Sequence, residues 1–557
     1  MNFTQKAEML LKTIYGEGYS PLYKEEIVEA VKGWKQRKWR QPSALSQKNV
    51  YLITYGDSIW EENKPALSTL KKFLNTYARD EISDVHLLPM FPYTSDDGFS
   101  VVDYLTIHRD LGSWDEVESL SADYRLMFDF VANHMSKSSS WFQGYLKGLP
   151  EFEHYFIPKE ESFDAAKVVR PRTSPIFHEY EGGKTDWTTF SEDQVDVNFK
   201  HFPALLEMTN ILLEYAWRGG SSIRLDAIGF LWKESGTTCI HLPQTHAIIQ
   251  LWRVILEELE LKTLLITETN VPHKENISYL GNGKNEAHLV YQFSLPPLVL
   301  HSFTTHNTTT LTNWAKTIEK ISDQATYFNF LASHDGIGMR PTEGILTDKE
   351  RHSLADKVLE NGGRVSYKSN PDGTESPYEL NINYMEALIN KEEDATEDLQ
   401  IQKMLAAHSV LFSVIGVPAV YYHSLLGSGN DVKGLEESGI NRRINRKKFQ
   451  YEEIVGELQT SSRRQRVFEG IKKLIRVRQK EAALNPFSTQ EIVELHDQVF
   501  SLIRRNEETE DALLFIVNSG NTPVQVELPF NGEDLWSGVQ CDGQIELSPY
   551  QFVWIKK

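Results

Sequence analysis

Eight short runs rich in apolar, β-branched and aromatic residues recur along the chain, each followed by a turn and a longer amphipathic stretch. In order they are Val50–Tyr55, Val85–Met90, Leu126–Val131, Ser222–Ala227, Thr263–Thr267, Leu289–Phe293, Tyr327–Ala332 and Pro418–Tyr422. A continuous apolar run of this length reads as a strand buried on both faces. The longer stretch, with apolar positions every three to four residues, reads as a helix covering it. Eight such units predict an α/β fold, a TIM (β/α)8 barrel. A doubly wound open sheet gives the same alternation and is the competing architecture.

The pattern is interrupted in four places. Residues 1–48 hold no strand-like run, and Ile27, Val31 and Trp34 fall at helical spacing, which predicts an N-terminal helical extension. Residues 138–195, rich in aromatics and containing Arg170-Pro-Arg172, are too long for an ordinary connection and are expected to fold over the rim of the barrel. A second insertion, 347–398, carries the turn signal Asn370-Pro-Asp-Gly in a polar stretch and predicts a lid. The barrel proper then occupies 49–137, 196–346 and 399–484. Beyond it, Gln498-Val-Phe-Ser-Leu-Ile-Arg, Ala512-Leu-Leu-Phe-Ile-Val and the alternating Pro523–Pro529 predict a small all-β domain over 485–557.

A chain of 557 residues with 40% apolar content can bury a large core. Its 58 basic against 78 acidic side chains leave a net charge of −20, which disfavours nucleic acid and anionic membrane as partners. Anionic substrates would need a local basic patch. The run Lys32-Gly-Trp-Lys-Gln-Arg-Lys-Trp-Arg40 is basic with interleaved aromatics, a pattern also seen in nucleic-acid binders. In so acidic a chain, a solvated helix face or the subunit contact of a homodimer is the better reading. Cys239 and Cys541 are too few for a disulfide framework and fit a reducing cytoplasm. Charges interrupt the first twelve residues, so there is no signal-peptide centre, and no apolar run approaches the roughly 18 residues of a membrane span.

Three carboxylates stand at the ends of predicted strands: Asp226 in Ser-Ile-Arg-Leu-Asp, Glu268 in Leu-Ile-Thr-Glu-Thr and Asp335 in Ala-Ser-His-Asp-Gly. They are 42 and 67 residues apart, about one and two strand-helix units, so a barrel would bring all three to one rim. Each alone could simply cap a turn. Arg224 lies two residues before Asp226, on the same side of its strand, where it is expected to hold Asp226 ionised. Two other motifs carry little. His241-Leu-Pro-Gln-Thr-His246 lacks the spacing of a zinc helix, and Gly281-Asn-Gly-Lys284 lacks the length and the Ser or Thr of a phosphate loop.

The three acid segments, with Phe128-Asp-Phe-Val-Ala-Asn-His134, resemble the four conserved regions of the α-amylase superfamily of glycoside hydrolases. Similarity to the sucrose-phosphorylase branch is carried by Asp96-Asp-Gly-Phe-Ser, Arg170-Pro-Arg172, Lys233-Glu-Ser-Gly-Thr-Thr-Cys, Phe293-Ser-Leu-Pro-Pro-Leu-Val-Leu-His and His334-Asp-Gly-Ile-Gly. Within that branch, Thr267-Glu-Thr-Asn-Val-Pro-His-Lys-Glu-Asn, Asn370-Pro-Asp-Gly-Thr and the N-terminal extension look like the glucosylglycerate phosphorylases.

The resemblance implies a retaining glycoside phosphorylase of the hexosyltransferase class. Asp226 would be nucleophile, Glu268 general acid/base and Asp335 transition-state stabiliser. Asp96, His134 and His334 would bind the glucosyl ring, with Phe99, Phe190 and Phe230 shaping its site. Arg172 and Arg446 match basic positions near phosphate and sugar, and Arg340 and Arg364 are further candidates. The branch's lid pattern Leu-Asp-Leu-Tyr-Gln is replaced by Glu375-Ser-Pro-Tyr378-Glu379, which keeps Tyr378 and puts fructose as leaving group in doubt. A glycerate carboxylate would need its own donor, such as Arg172, Lys274 or Arg340. The substrates implied are a glucoside and inorganic phosphate, with no metal and no organic cofactor. Sucrose 6′-phosphate or sucrose phosphorolysis, a plain α-glucoside hydrolase or transglucosidase, and a non-catalytic carbohydrate-binding relative remain the alternatives.

Overall fold

The structure, a computed structural model, describes residues 1–557. Eight parallel strands close into a barrel: β1 (Tyr51–Thr54), β2 (Asp84–Leu87), β3 (Arg125–Phe130), β4 (Gly220–Leu225), β5 (Leu264–Thr267), β6 (Leu289–Tyr291), β7 (Thr326–Asn329) and β8 (Val417–Tyr421). Neighbours in the barrel are neighbours in sequence, and β8 pairs with β1 to complete the ring. All eight predicted runs are barrel strands, which decides against the open sheet. Several strands stop short of the apolar run that announced them. Leu88, Met90, Phe330 and Leu331 stay buried beyond the ends of β2 and β7, because the rim is roofed by loops. Apolar character therefore outlasts strand pairing there.

Two helices, Phe3–Tyr15 and Pro21–Lys35, form the N-terminal extension. Asn2 and Gln5 make a reciprocal capping box on the first, and the Ser20 hydroxyl caps the second, satisfying amides that would otherwise lack partners. Leu10, Leu11 and Ile14 of the first helix and Ile27, Val31 and Trp34 of the second are buried, and the first packs along the barrel helix Pro243–Glu258. The basic aromatic run turns its tryptophans inward. Trp34 Nε1 donates to Asn210 Oδ1 at 2.9 Å, and the Arg37 guanidinium lies 4.0 Å above the Trp34 ring.

Between β3 and β4 the chain forms the helix Ser140–Leu146 and a small antiparallel pair, Phe177–Glu179 with Thr185–Trp187. After β7 it forms the helix Asp348–Glu360 and a hairpin of Arg364–Ser369 with Glu375–Asn381, whose tip is the predicted Asn370-Pro-Asp-Gly turn. The second hairpin strand also pairs with Ile337–Gly338, just past Asp335, so the hairpin is stitched directly to the catalytic rim.

The C-terminal region is a six-stranded sheet beside a two-stranded one, with its own small apolar core around Val499, Leu514 and Ile516. It is fastened to the barrel by the fully buried Arg504, and the fully buried Arg478 of the last barrel helix, Arg463–Gln479, binds the same helix end. Arg504 Nη1 donates to Ser413 O at 2.9 Å and Arg478 Nη1 to Phe412 O at 2.7 Å. These carbonyls end the helix Glu397–Ser413, where the backbone has no helical donors left and carries partial negative charge.

Candidate active site

Strand register places the first two acids side by side. On β4 and β5, Arg224 is level with Ile266 and Leu225 with Thr267, so the next residues along, Asp226 and Glu268, are neighbours at the rim. Backbone bonds extend the ladder to that point: Asp226 N donates to Phe130 O and Glu268 N to Leu225 O, each at 3.2 Å. Ala227 then turns into the left-handed region at φ 48°, an uncommon place for a residue with a Cβ, and its N–H donates to Glu268 Oε2 at 2.9 Å. Asp335 arrives differently. It lies six residues past Asn329, the end of β7, so it is a loop residue rather than the strand-end residue expected from the sequence.

Arg224 organises the acids from within the barrel. Its Nη1 lies 2.5 Å from Asp129 Oδ1 and 2.8 Å from Asp226 Oδ1, its Nε donates to Tyr291 Oη at 2.8 Å, and its Nη2 is 4.0 Å from Glu268 Oε2. The same guanidinium thus also reaches Glu268, more weakly. Burial pushes both carboxyls above the usual carboxylate range, so Arg224 does not simply hold Asp226 low. Two adjacent buried carboxyls titrate as a pair that keeps one proton to higher pH. The 2.8 Å contact with Asp226, against 4.0 Å to Glu268, favours the charge on Asp226, while burial, which lifts Asp226 most, and the Ala227 N–H on Glu268 act the other way.

Asp335 behaves oppositely. Burial alone would raise it, but Arg442, Arg446 and Arg224 outweigh that and hold its carboxyl below the usual range. It is the permanently charged member of the three. His134 and His334 are buried, and desolvation lowers both, so they are neutral donors and acceptors near pH 7.

These groups line one concave cavity at the rim of the barrel. Asp96, Phe99, His134, Arg172, Phe190, Phe230, His334, Arg340 and Tyr378 all line it with the three acids. The Phe99 ring stacks on His334 at 4.9 Å between centroids, and Phe190 packs against both His134 and Phe230. Arg172 is held over Phe190 and Tyr378, at 5.3 and 5.8 Å from their centroids.

Three basic candidates fall elsewhere. Arg446 does not line the cavity; it lies behind, with Nη1 2.8 Å from Asp97 Oδ2 and Nε donating to His334 O at 2.8 Å, so it braces the wall. Arg364 is exposed on the lid and bonds only the carbonyls of Gly362 and Gly363, and Lys274 is exposed on its helix. The cavity arginine overlooked in the sequence is Arg442. It is 2.8 Å from Asp335 Oδ1 and grips Glu379 of the lid through two bonds, at 2.9 and 2.8 Å. Gln194, Asn270 and Glu379 also line the cavity, and nothing in their local sequence singles them out.

The lid fits the rim only because residue 336 is glycine. A Cβ there would stand 2.4 Å from Glu379 Cγ and 2.6 Å from the Leu380 carbonyl oxygen, and backbone cannot yield cheaply. Gly336→Ala is expected to cost about 1–3 kcal/mol of stability by overpacking. Displacing Glu379 and Arg442 by a fraction of an ångström should lower kcat/KM up to about a hundredfold. Thermal unfolding and steady-state kinetics on the same sample check both figures.

The comparisons with known proteins agree with this geometry. A family model described as alpha amylase, catalytic domain, matches residues 80–354. A glucosylglycerate phosphorylase of Spirochaeta thermophila is 45% identical over 533 residues, 93% of this chain and 90% of that protein. One of Escherichia coli is 40% identical over 99% of this chain and 100% of that protein. Among solved structures, sucrose 6F-phosphate phosphorylase from Thermoanaerobacter thermosaccharolyticum superimposes with a TM-score of 0.75. At 24% identity, covering 91% of this chain and 99% of that one, it is a likeness of fold. With this much identity over nearly its whole length, the chain belongs to the glucosylglycerate phosphorylase family of the α-amylase superfamily.

Proposed function

We propose that this chain is a retaining hexosyltransferase that phosphorolyses 2-O-α-D-glucosyl-D-glycerate to α-D-glucose 1-phosphate and D-glycerate. The observation that carries the reading is an acid pair set side by side by strand register, opening into a cavity that also holds cationic side chains for an anionic acceptor. The substrate itself comes from relatives named for it.

In the first half-reaction an Asp226 oxygen attacks C1 from the β face while Glu268 gives its proton to the departing glycerate oxygen, leaving a β-glucosyl-enzyme. In the second, a phosphate oxygen attacks C1 from the α face, the Glu268 carboxylate takes the phosphate proton, and the bond to Asp226 breaks. Two inversions give retention. Asp335, always charged, grips ring hydroxyls as the ring flattens, and His134, His334 and Asp96 hold the remaining hydroxyls. The acid pair and phosphate supply every proton and nucleophile, so no organic cofactor is invoked. No cluster of three or more His, Cys, Asp or Glu side chains is grouped as for a metal ion, and no helix is long and apolar enough to cross a membrane. Two free, buried cysteines support a reducing cytoplasm as the place of work.

The test is incubation with 2-O-α-glucosylglycerate with and without phosphate, following α-glucose 1-phosphate by phosphorus NMR. Phosphate-dependent formation is expected. Equal consumption without phosphate would point to a hydrolase or transglucosidase, and turnover of sucrose 6′-phosphate alone would move the assignment to that activity.

A further inference from the structure

The floor beneath the acids is polar, although the core of such a barrel is ordinarily filled by branched apolar side chains. Three neighbouring strands, β2, β3 and β4, each turn one polar side chain inward there: His86, Asp129 and Arg224, none more than 1% exposed. His86 Nε2 stands 2.7 Å from Asp129 Oδ2. The other carboxylate oxygen, Asp129 Oδ1, is 2.5 Å from Arg224 Nη1, the same nitrogen that donates to Asp226 Oδ1 at 2.8 Å. Polar groups buried in a row are costly unless each is bonded, so the row calls for a purpose.

The protons can be placed. Burial alone would raise the Asp129 carboxyl, but Arg224 and the hydrogen bond from His86 outweigh it and hold the group below the usual range. A carboxylate only accepts, so the His86 proton is on Nε2, and Nδ1 is a bare acceptor with no partner. Burial lowers His86 despite Asp129, which leaves the ring neutral near pH 7. A neutral donor gives Asp129 direction without cancelling its charge. An apolar residue in its place would leave Asp129 Oδ2 buried and unbonded, and the Arg224 guanidinium, a planar fork suited to both oxygens of a carboxylate, is the neighbour able to fill it. Arg224 would then close on Asp129 and loosen from Asp226.

Taking Asp226 as the nucleophile, as above, we propose that His86 is a positioning residue of glucosyl transfer: it occupies Asp129 Oδ2, so that Arg224 meets Asp129 through one oxygen only and keeps its contact with Asp226. It touches no substrate and acts through Asp129 and Arg224. Asp226 faces Arg224, Glu268, Asp129 and Asp335, and of these Arg224 alone favours its charge. A loosened Arg224 therefore raises the pH needed to ionise the nucleophile.

The test compares His86→Gln, which keeps an N–H donor, with His86→Met, which has nearly the same shape and none. The kcat/KM for α-glucosyl fluoride, followed as fluoride release across pH in saturating phosphate, reports the glucosylation step, which needs Asp226 ionised and no proton from Glu268. His86→Met is expected to lower the plateau about 10- to 100-fold, as for a small misplacement of a reacting group. Its acid limb should move up by about one pH unit, part of the 1–3 units that an adjacent opposite charge supplies. His86→Gln should recover most of the plateau and return the limb to its wild-type position, while thermal unfolding falls alike in both. If His86→Met does not fold, His86→Leu takes its place. A limb that stays put in the donorless variant, or a Gln variant as impaired as Met, overturns the role and leaves His86 a packing residue. Peptide mapping of the wild-type adduct with α-glucosyl fluoride keeps the two readings apart. An adduct away from Asp226 overturns the nucleophile assignment and this role with it, whereas an adduct on Asp226 with an unmoved limb removes His86 alone.

Discussion

Replacing Asp226 by Asn is expected to lower turnover by about four to six orders of magnitude, because the nucleophile works as one unit with its acid and removing it disables the unit. The amide has the shape of the carboxylate but cannot form the ester to C1. Stability should move the other way. Asp226 is buried against Glu268, Asp129 and Asp335, whose fields, with desolvation, disfavour its charge. Losing that charge relieves repulsion, while Arg224 keeps Asp129 as a partner at 2.5 Å. The variant should therefore unfold at the wild-type temperature or above it, the usual trade between an active site and a stable one. Intact-mass spectrometry after incubation with α-glucosyl fluoride should show a glucosylated wild type and an unmodified variant. A variant that still forms the adduct would assign the nucleophile elsewhere.

The barrel was readable from sequence because burial on both faces of a parallel strand leaves a signal that needs no knowledge of partners. The apolar run at 263–267 names its strand by composition, and the one at 222–227 is marked by the alternating Ile223 and Leu225. Register came free with them, since Asp226 and Glu268 each directly follow a strand, and parallel neighbours pair at constant offset. Asp335 was identified correctly as an acid of the rim but placed a turn too close to its strand, because Phe330 and Leu331 are buried by covering loops and not by pairing. The arginines were the least legible part. Arg446 sits in a motif and proved to be a brace, whereas Arg442 meets Glu379 across 63 residues of chain. Long-range ion pairs leave no periodic trace, so a single sequence cannot tell the arginine that enters the cavity from the one that supports its wall.

That division of labour has a physical reason. Several acids converge here, which suits a forming positive centre at C1 but repels phosphate. Arg224 compensates from inside the barrel and Arg442 and Arg446 from the segment after β8, and all three are consumed by acids in doing so. Of the cavity's arginines, Arg172 comes from the insertion between β3 and β4 and is bound to no acid.

Glu268→Gln separates proton transfer from the rest of the mechanism. With the natural glycoside, which needs a proton on its leaving oxygen, turnover should fall by about 10²–10⁴-fold. With α-glucosyl fluoride, which departs without one, formation of the glucosyl-enzyme should be nearly unaffected, and the adduct should accumulate because its breakdown by phosphate needs Glu268 as base. Azide attacks without giving up a proton, so adding it should restore turnover and yield α-glucosyl azide. The pH dependence follows from the raised carboxyl. Glu268 must be protonated to assist departure, so wild-type activity on the glycoside should hold to higher pH than an ordinary glutamic acid allows, then fall as pH rises through its pKa. With Gln at that position, fluoride as donor and azide as acceptor, no proton is exchanged and the alkaline fall should disappear. Equal losses on both donors, or an alkaline limb that survives the substitution, would place the acid on another side chain.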